Sequence, residues 1–474
     1  MIRCDVGQED RIPIDVLPDD VLLAIFDFYV KEDQFTKKGI SAWQSLVHVC
    51  RLWRSIVFGS PRRLNLRLLC TPGTQRGMLD VWPALPLVIR GHVSRSDMDN
   101  IISVLERSDR VCRIDFDFDS RSQVEKVWAA MQEPFPELAY LKLFGNNTKQ
   151  VVPDSLLGGL APRLRFLQLD ATPFPGLPKL LLSATHLVAL HLSNIPNSGY
   201  FSPEAIITAL SRATSLNMLS LGFQSLQSPP EPESRYPLPP TRTILPALTY
   251  FDFTKGASEY LEALVAHIDA PRLNYFHIFL FNQSGFHPSQ LVQFISRTPT
   301  LKAHNEAHVV INYGDVKVIL LSRTTGPDRG LLTIEVLFGE SNFQLSSLAR
   351  INSSSLPSLS MVESLYIYEN QFIVSGWEDQ IRVESTGGWL DLLRPYTAVK
   401  NLYLSEVFGP GVVRALKESV GERTTVVLPT LQTVFLEGLL PSGPIREDVG
   451  QFVATRQLSG YPCAVSLWNG VGRF

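Results

Sequence analysis

Leu164-Arg165-Phe166-Leu167-Gln168-Leu169 is followed by Leu187-Val188-Ala189-Leu190-His191-Leu192 and then by Leu216-Asn217-Met218-Leu219-Ser220-Leu221. Each has the form Leu-x-x-Leu-x-Leu, and its closing alternation predicts a strand with one apolar face. Toward the N-terminus the cell recurs as Val111/Ile114/Phe116 and Leu138/Leu141/Leu143. Toward the C-terminus it recurs as Leu248/Phe251/Phe253 and Leu273/Phe276/Ile278. It returns later as Val362/Leu365/Ile367, Val399/Leu402/Leu404 and Leu431/Val434/Leu436. The first seven cells open 27, 26, 23, 29, 32 and 25 residues apart. A period of that order signals stacked supersecondary units, each too small to bury its own apolar face.

Helices are expected between the cells. Ser202-Pro203-Glu204 supplies an N-cap, an N1 proline and a first-turn acid, and Ile206, Ile207 and Leu210 follow. Tyr260, Leu261, Leu264, Val265 and Ile268 form a second stripe. Pro288 opens a third helix with Leu291, Val292 and Ile295, and Met98, Ile101, Ile102 and Leu105 mark an earlier one. Cell and period together resemble leucine-rich repeats. That resemblance implies an α/β fold of strand plus helix per unit, an irregular solenoid with its strands on the concave side. The family's asparagine, three residues past the last leucine, is present only at Asn146. Asp119, Thr172, Ile195, Gln224, Gly256 and Phe281 replace it elsewhere, so no continuous asparagine ladder is expected.

Two stretches depart from the period. Ser228-Pro229-Pro230-Glu231-Pro232 through Pro239-Pro240 reads as an extended surface loop. Val309 to Leu320 reads as a hairpin turning near Gly314, and Leu331 to Phe338 as a further strand. A small extra sheet near 305–340 is therefore expected to flank the solenoid. Val449, Phe452 and Val453 on a helix, then Ala464 to Leu467 as a strand, make a C-terminal cap.

Composition narrows the function classes. The chain has 474 residues, 45% hydrophobic, with a net charge of −3 and no block of like charge. A large core is affordable, and the footprint of a nucleic-acid binder is missing. Cys4, Cys50, Cys70, Cys112 and Cys463 are odd in number and lack metal or redox spacing, which suits reduced thiols in a cytoplasmic or nuclear protein. No apolar run approaches a membrane span, and the start lacks a signal-peptide core. The matches at Asn146, Asn282 and Asn352 to the glycosylation pattern then read as chance.

The N-terminal segment is different in kind. Leu17-Pro18-Asp19-Asp20-Val21-Leu22-Leu23-Ala24-Ile25-Phe26 starts with a helix-opening proline and two first-turn acids. Val21, Leu22, Ile25 and Phe26 form one apolar stripe; Trp43, Leu46, Val47 and Cys50 a second; Trp53, Ile56 and Val57 a third, stopped by Gly59-Ser60-Pro61. The order Leu-Pro-x-x-Val-Leu-x-x-Ile-Phe, then Leu46-Val47-His48-Val49-Cys50-Arg51-Leu52-Trp53-Arg54, resembles an F-box over residues 11–60. Phe26 and Val49 are 23 residues apart, longer than the usual F-box, with the excess in the polar stretch Lys31 to Gly39. An insertion there costs little closure entropy.

The resemblance implies two domains, an F-box at 11–60 and a leucine-rich solenoid at 61–474. It implies the substrate-receptor subunit of an SCF-type cullin–RING ubiquitin ligase. Leu17, Pro18, Val21, Leu22, Ile25, Phe26, Leu46, Val49, Cys50 and Trp53 would be divided between the module's core and the ligase adaptor, which carries the cullin. Leu17, Pro18 and Leu22 are expected to face that adaptor. An interaction scaffold outside ubiquitin transfer is the alternative. With the stretches Trp82 to Gly91 and Gln457 to Gly460, nearly the whole chain resembles F-box-domain proteins of mushroom-forming fungi.

Within each cell, the residue between the last two leucines points away from them. These are Asp115, Lys142, Gln168, His191, Ser220, Asp252, His277, Tyr366, Tyr403 and Phe435. His191, Asp252, His277, Tyr366, Tyr403 and Phe435 are the candidate contacts to an unknown protein substrate, since clustered aromatics mark interaction surfaces. No catalytic, cofactor-binding or metal-ligating residue is expected. Asp115, Asp117 and Asp119 share a strand face without a calcium loop, and read as a solvated edge. His304 and His308 fall on a strand without the glutamate of a zinc helix. Asn469-Gly470-Val471-Gly472 has no following helix, and no cysteine has a base beside it.

Overall fold

The computed structural model describes residues 17–33, 42–71, 73–74, 76–93, 98–118, 121–145, 150–224, 242–281, 288–312, 315–322, 330–337, 345, 349, 359–370, 386–420, 427–438 and 444–470. These fall into two compact units, residues 1–146 with 155–160, and residues 147–154 with 161–474. The expected boundary near residue 60 lies inside the first unit. The proline-rich stretch 228–240, the turn at Gly314 and Asp119 lie outside the described residues.

The first unit opens with α1 (Asp19–Asp33), α2 (Ala42–Val47) and α3 (Arg51–Gly59). The Pro18 carbonyl accepts from the N–H groups of Val21 and Leu22, so this proline caps α1. Lys31, Glu32 and Asp33, read as the start of a loop, continue the helix. Strands β1 (Leu68–Cys70), β2 (Leu87–Val93), β3 (Val111–Phe118) and β4 (Tyr140–Gly145) follow, all parallel and paired in chain order. Helices Arg76–Val81, Met98–Leu105 and Arg121–Ala130 make the crossovers.

The second unit repeats the same step. Its strands are β5 (Phe166–Asp170), β6 (Ala189–Ile195), β7 (Met218–Phe223), β8 (Thr243–Ile244), β9 (Tyr250–Thr254), β10 (Ile268–Asp269) and β11 (Tyr275–Phe281). Then come β12 (Glu306–Ile311), β13 (Asp315–Leu321), β14 (Leu331–Leu337), β15 (Ser364–Tyr368), β16 (Asn401–Leu404), β17 (Thr433–Glu437) and β18 (Ala464–Trp468). β8 and β10 form a separate two-stranded pair; the others lie in the order 5-6-7-9-11-14-13-12-15-16-17-18. This is a leucine-rich-repeat-like array of helices and mostly parallel strands.

The leucine cells explain the array. All thirty of their positions are buried, none more than 4% exposed. The first leucine closes a turn before each strand, as its N–H donates to the carbonyl three residues back: Leu164 to Ala161, Leu187 to Ala184, Leu216 to Ala213 and Leu273 to Ala270. The next residues then donate to the preceding repeat, as Asn217 and Met218 do to Val188. Two residues past the last leucine the chain turns left-handed, at Ala171, Asn194, Lys255 and Gly438. The predicted N-cap is present: Ser202 accepts from the Ala205 N–H at 3.2 Å.

One expectation is corrected. β12, β13 and β14 do not form a sheet flanking the array; they lie inside the main sheet. β14 pairs parallel with β11 and β12 pairs parallel with β15, while β13 runs antiparallel between them. Val309, Val310 and Ile311 are all buried, as a strand covered on both faces requires.

Candidate functional site

Two surfaces hold the predicted residues, one in each unit. In the first unit, Leu22, Phe26 and Val30 of α1 pack with Trp43, Leu46 and Val47 of α2 and with Ile56 and Val57 of α3 as a buried core. Phe26 meets the Trp53 ring at 4.7 Å. Cys50 caps α3, its Sγ accepting from the Trp53 N–H. One side of this small bundle is held by the chain itself. Trp43 Nε1 donates to the Arg67 carbonyl at 2.9 Å, and the Trp82 ring packs edge-on against Trp43 and Phe58.

The other side is open. Val21 is 40% exposed, Ile25 44%, Phe28 72%, Tyr29 45%, Val49 59% and Leu52 41%. Val21, Ile25, Phe28 and Tyr29 recur at i, i+4, i+7 and i+8, so they make a second apolar stripe on α1 beside the buried one. Of the ten predicted residues, Pro18, Val21, Ile25, Val49 and Cys50 are exposed, and Leu17 and Trp53 are half-buried. Leu22 does not face outward as expected: it is fully buried, one step around α1 from Val21. Phe26 and Leu46 are core as well. Sequence reading missed Phe28, Tyr29 and Leu52, although the first two simply continue the Val21/Ile25 spacing.

In the second unit, the register aligns the predicted contacts in one lateral row. Gln168, His191, Ser220, Asp252 and His277 are Cα partners in turn. The row continues through Thr333, Ile319, His308, Tyr366, Tyr403 and Phe435. It divides into a polar half and an aromatic half.

In the polar half, Asp252 accepts from Ser220 Oγ at 2.8 Å and from His277 Nδ1 at 2.7 Å. Glu335 Oε2 lies 3.7 Å from His277 Nε2, beyond hydrogen-bond reach, and acts through its charge. Burial alone would lower the imidazole; Asp252 and Glu335 outweigh it and raise His277 to about 9. His191 is shifted the other way, down, by burial. Ser220 and His277 both donate to one carboxylate, so neither activates the other. The trio stores a charge and does not make a nucleophile.

The aromatic half differs from expectation. His308 stacks on Tyr366 at 4.4 Å, Tyr366 on Tyr403 at 4.1 Å, and Tyr403 on Phe435 at 4.4 Å, all within 8° of parallel. Neighbouring strands stand about 4.8 Å apart, so aligned rings meet face to face. Trp468 packs across Tyr366 and Tyr403 at 6.0 and 5.9 Å, and Val310, Ile319, Leu321 and Tyr368 complete a second apolar cluster. Tyr366, Tyr403 and Phe435 are thus half-buried rungs showing edges, not an open aromatic shelf.

No family model matches this chain, and no curated protein matches it. Among the solved structures it is similar to is a leucine-rich repeat-containing protein. That protein is LegL7 from Legionella pneumophila, with 14% identity over 82% of this chain and 97% of that chain, at a TM-score of 0.28. A score so low carries no weight for the fold, and the repeat stands on this chain's own register and hydrogen bonding.

The remaining candidates resolve simply. Asp115 is not a solvated edge: it is buried among Arg90, Arg113 and Lys142. Asp117 is exposed. His308 is buried in β12 with Nε2 2.9 Å from Glu306 Oε1, and His304 is buried just before that strand. Among the described residues no group of three or more His, Cys, Asp or Glu is placed to hold a metal ion, and no helix is long and apolar enough to cross a membrane.

Proposed function

We propose that this chain is the substrate-receptor subunit of an SCF-type ubiquitin ligase, acting in the cytoplasm or nucleus. Its N-terminal helices would bind the ligase adaptor and its leucine-rich-repeat-like units a protein substrate. The observation that carries the reading is the two-sided bundle α1–α3. Trp43 and Phe58 fasten one side to the chain, while Val21, Ile25, Phe28, Tyr29, Val49 and Leu52 leave the other side apolar and open. An exposed apolar patch of that kind marks a protein interface. The F-box-like order of residues 17–54 supports a ligase adaptor as that partner. Catalysis would then be tethering: a bound substrate lysine is held near the charged enzyme, and the chain itself transfers nothing.

The test is adaptor capture. Val21→Asp with Ile25→Asp, both outward-facing, should abolish capture while leaving the thermal melt unchanged. Leu17→Ala with Pro18→Ala should weaken it, since truncating interface anchors costs about 2 kcal/mol or more. Undiminished capture by the double aspartate variant would overturn the proposal. Co-purification of cullin, and ubiquitination of a captured client, separate a ligase receptor from a scaffold outside ubiquitin transfer.

A further inference from the structure

On the first unit's sheet, Arg90 of β2, Arg113 of β3 and Lys142 of β4 surround a single carboxylate. Arg90 Nε lies 3.7 Å from Asp115 Oδ2, Arg113 Nη2 3.6 Å from the same oxygen, and Lys142 Nζ 3.7 Å from Oδ1. All three distances exceed hydrogen-bond reach. Within 4 Å one carboxylate meets three cations, so this contact set itself carries more positive than negative charge. Asp115 is nearly covered, with 10% of its side chain exposed, whereas Arg90 is 65% exposed. Among the described residues, further charged or titratable groups near this part of the sheet include Asp117 and His92, paired in register one row further along, Glu137 before β4 and Arg67 before β1. Arg113 also lies 3.7 Å over the Tyr140 ring, which fixes its plane.

From this we infer that the face formed by Arg90, Arg113 and Lys142 binds an extended acidic peptide segment through its carboxylates. Two features select that partner. The point at which the three cations converge is already filled by Asp115, so a single phosphate has no room there; what remains available is donors around the rim. The Arg90 and Arg113 tips both approach the same oxygen of Asp115, at 3.7 and 3.6 Å, so they stand no more than about 7 Å apart, the spacing of alternate side chains on an extended chain. A segment with acids at i and i+2 would reach two of them at once, on the Arg113 side, away from Asp117. Calling this peptide a substrate segment rests on the function proposed above; the anion binding itself does not.

The experiment uses the full chain and fluorescence anisotropy with a labelled peptide alternating glutamate and serine. The controls are a glutamine–serine peptide, a phosphoserine–glutamine peptide and an oligothymidylate. The glutamate peptide should bind at least about tenfold tighter than the glutamine peptide, and raising salt from about 0.05 M to about 0.5 M should weaken it strongly. Arg90→Gln with Lys142→Gln should cost about tenfold or more. Asp115→Asn, by removing the neutralising charge, should tighten binding, a result no merely structural role would give. Equal binding of the glutamate and glutamine peptides, or salt-independent binding by the unaltered chain, overturns the inference. Tighter binding of the phosphoserine peptide or the oligothymidylate overturns the choice of carboxylate. Adaptor capture is measured in parallel. Arg90→Gln with Lys142→Gln should retain it, so its loss in the unaltered chain would sink the ligase reading without touching the peptide result.

Discussion

At the scale of single residues, two histidines give the second unit opposite pH responses. His277 is raised to about 9 because Asp252 and Glu335 outweigh its burial. Its unfolded value is near 6.5. The folded state therefore binds the proton more tightly, and this contribution is complete below about pH 6.5 and is lost as pH rises through about 9. His304 is pushed down to about 4 by burial, so its folded form prefers to be neutral, and stability falls as pH drops below about 6.5. Chemical denaturation across pH should show a maximum near neutrality. His277→Gln should destabilise on the order of 2 kcal/mol at pH 6.5 and far less at pH 9.5. An equal loss at both pH values would mean that the imidazolium contributes nothing. The same scale shows where a sequence misleads: Val21 and Leu22 are neighbours with equal hydrophobicity, and only packing shows which faces out.

At the scale of elements, one repeat caps the next. The helix Ser289–Arg297 has Pro288 at its N-cap and no cap from its own side chains. Glu262, on the helix Ser258–His267, supplies the missing acceptor, taking the Gln290 N–H at 2.7 Å and the Leu291 N–H at 3.0 Å. Glu262→Ala should cost about 1–2 kcal/mol. It should also speed hydrogen exchange at Gln290 and Leu291 more than within its own helix. Uniform exchange across both helices would refute the capping role. The repeat itself was legible because its signal is local. Each cell of three apolar residues buries all three, and Ser202-Pro203 starts a helix wherever it is placed. The placement of β12 to β14 was not, because pairing Tyr275 with Leu331 is a long-range event. A trace of it was present in Val309-Val310-Ile311, an unbroken apolar run that fits a strand inside a sheet better than one at its margin. The aromatic row was read correctly in register and wrongly in exposure. Alternation fixes which side a ring takes, but not that His308, Tyr366, Tyr403 and Phe435 would stack on each other, or that Trp468 would pack across them.

At the scale of the whole molecule, the N-terminal helices are not a removable tag. Trp43 bonds the Arg67 carbonyl and packs on Trp82, so deleting residues 1–60 would uncover that indole and part of the first unit's core. The deletion should destabilise that unit by about 2 kcal/mol or more from the lost aromatic burial, and so lower its melting temperature. A truncated chain that lost adaptor and substrate together would then report unfolding, not function. The surface pair Val21→Asp with Ile25→Asp avoids this, and calorimetry of both variants checks the distinction: only the deletion should shift the transition.

The antiparallel strand β13 has a kinetic meaning. Elsewhere in the second unit a newly formed strand finds its partner one repeat back, so order can spread step by step like a closing zip. At β11 the spread must halt, because the next edge it needs, β14, comes after two intervening strands, β13, which lies between β14 and β12, and β12, whose far edge pairs with the still later β15. Refolding should therefore proceed as two blocks, residues 161–281 and residues 359–470, joined late by a slow phase in which 306–337 seats itself. Pulse-labelling should find the amides of β12 to β14 protected last; simultaneous protection with β9 and β11 would show that the splice forms no barrier.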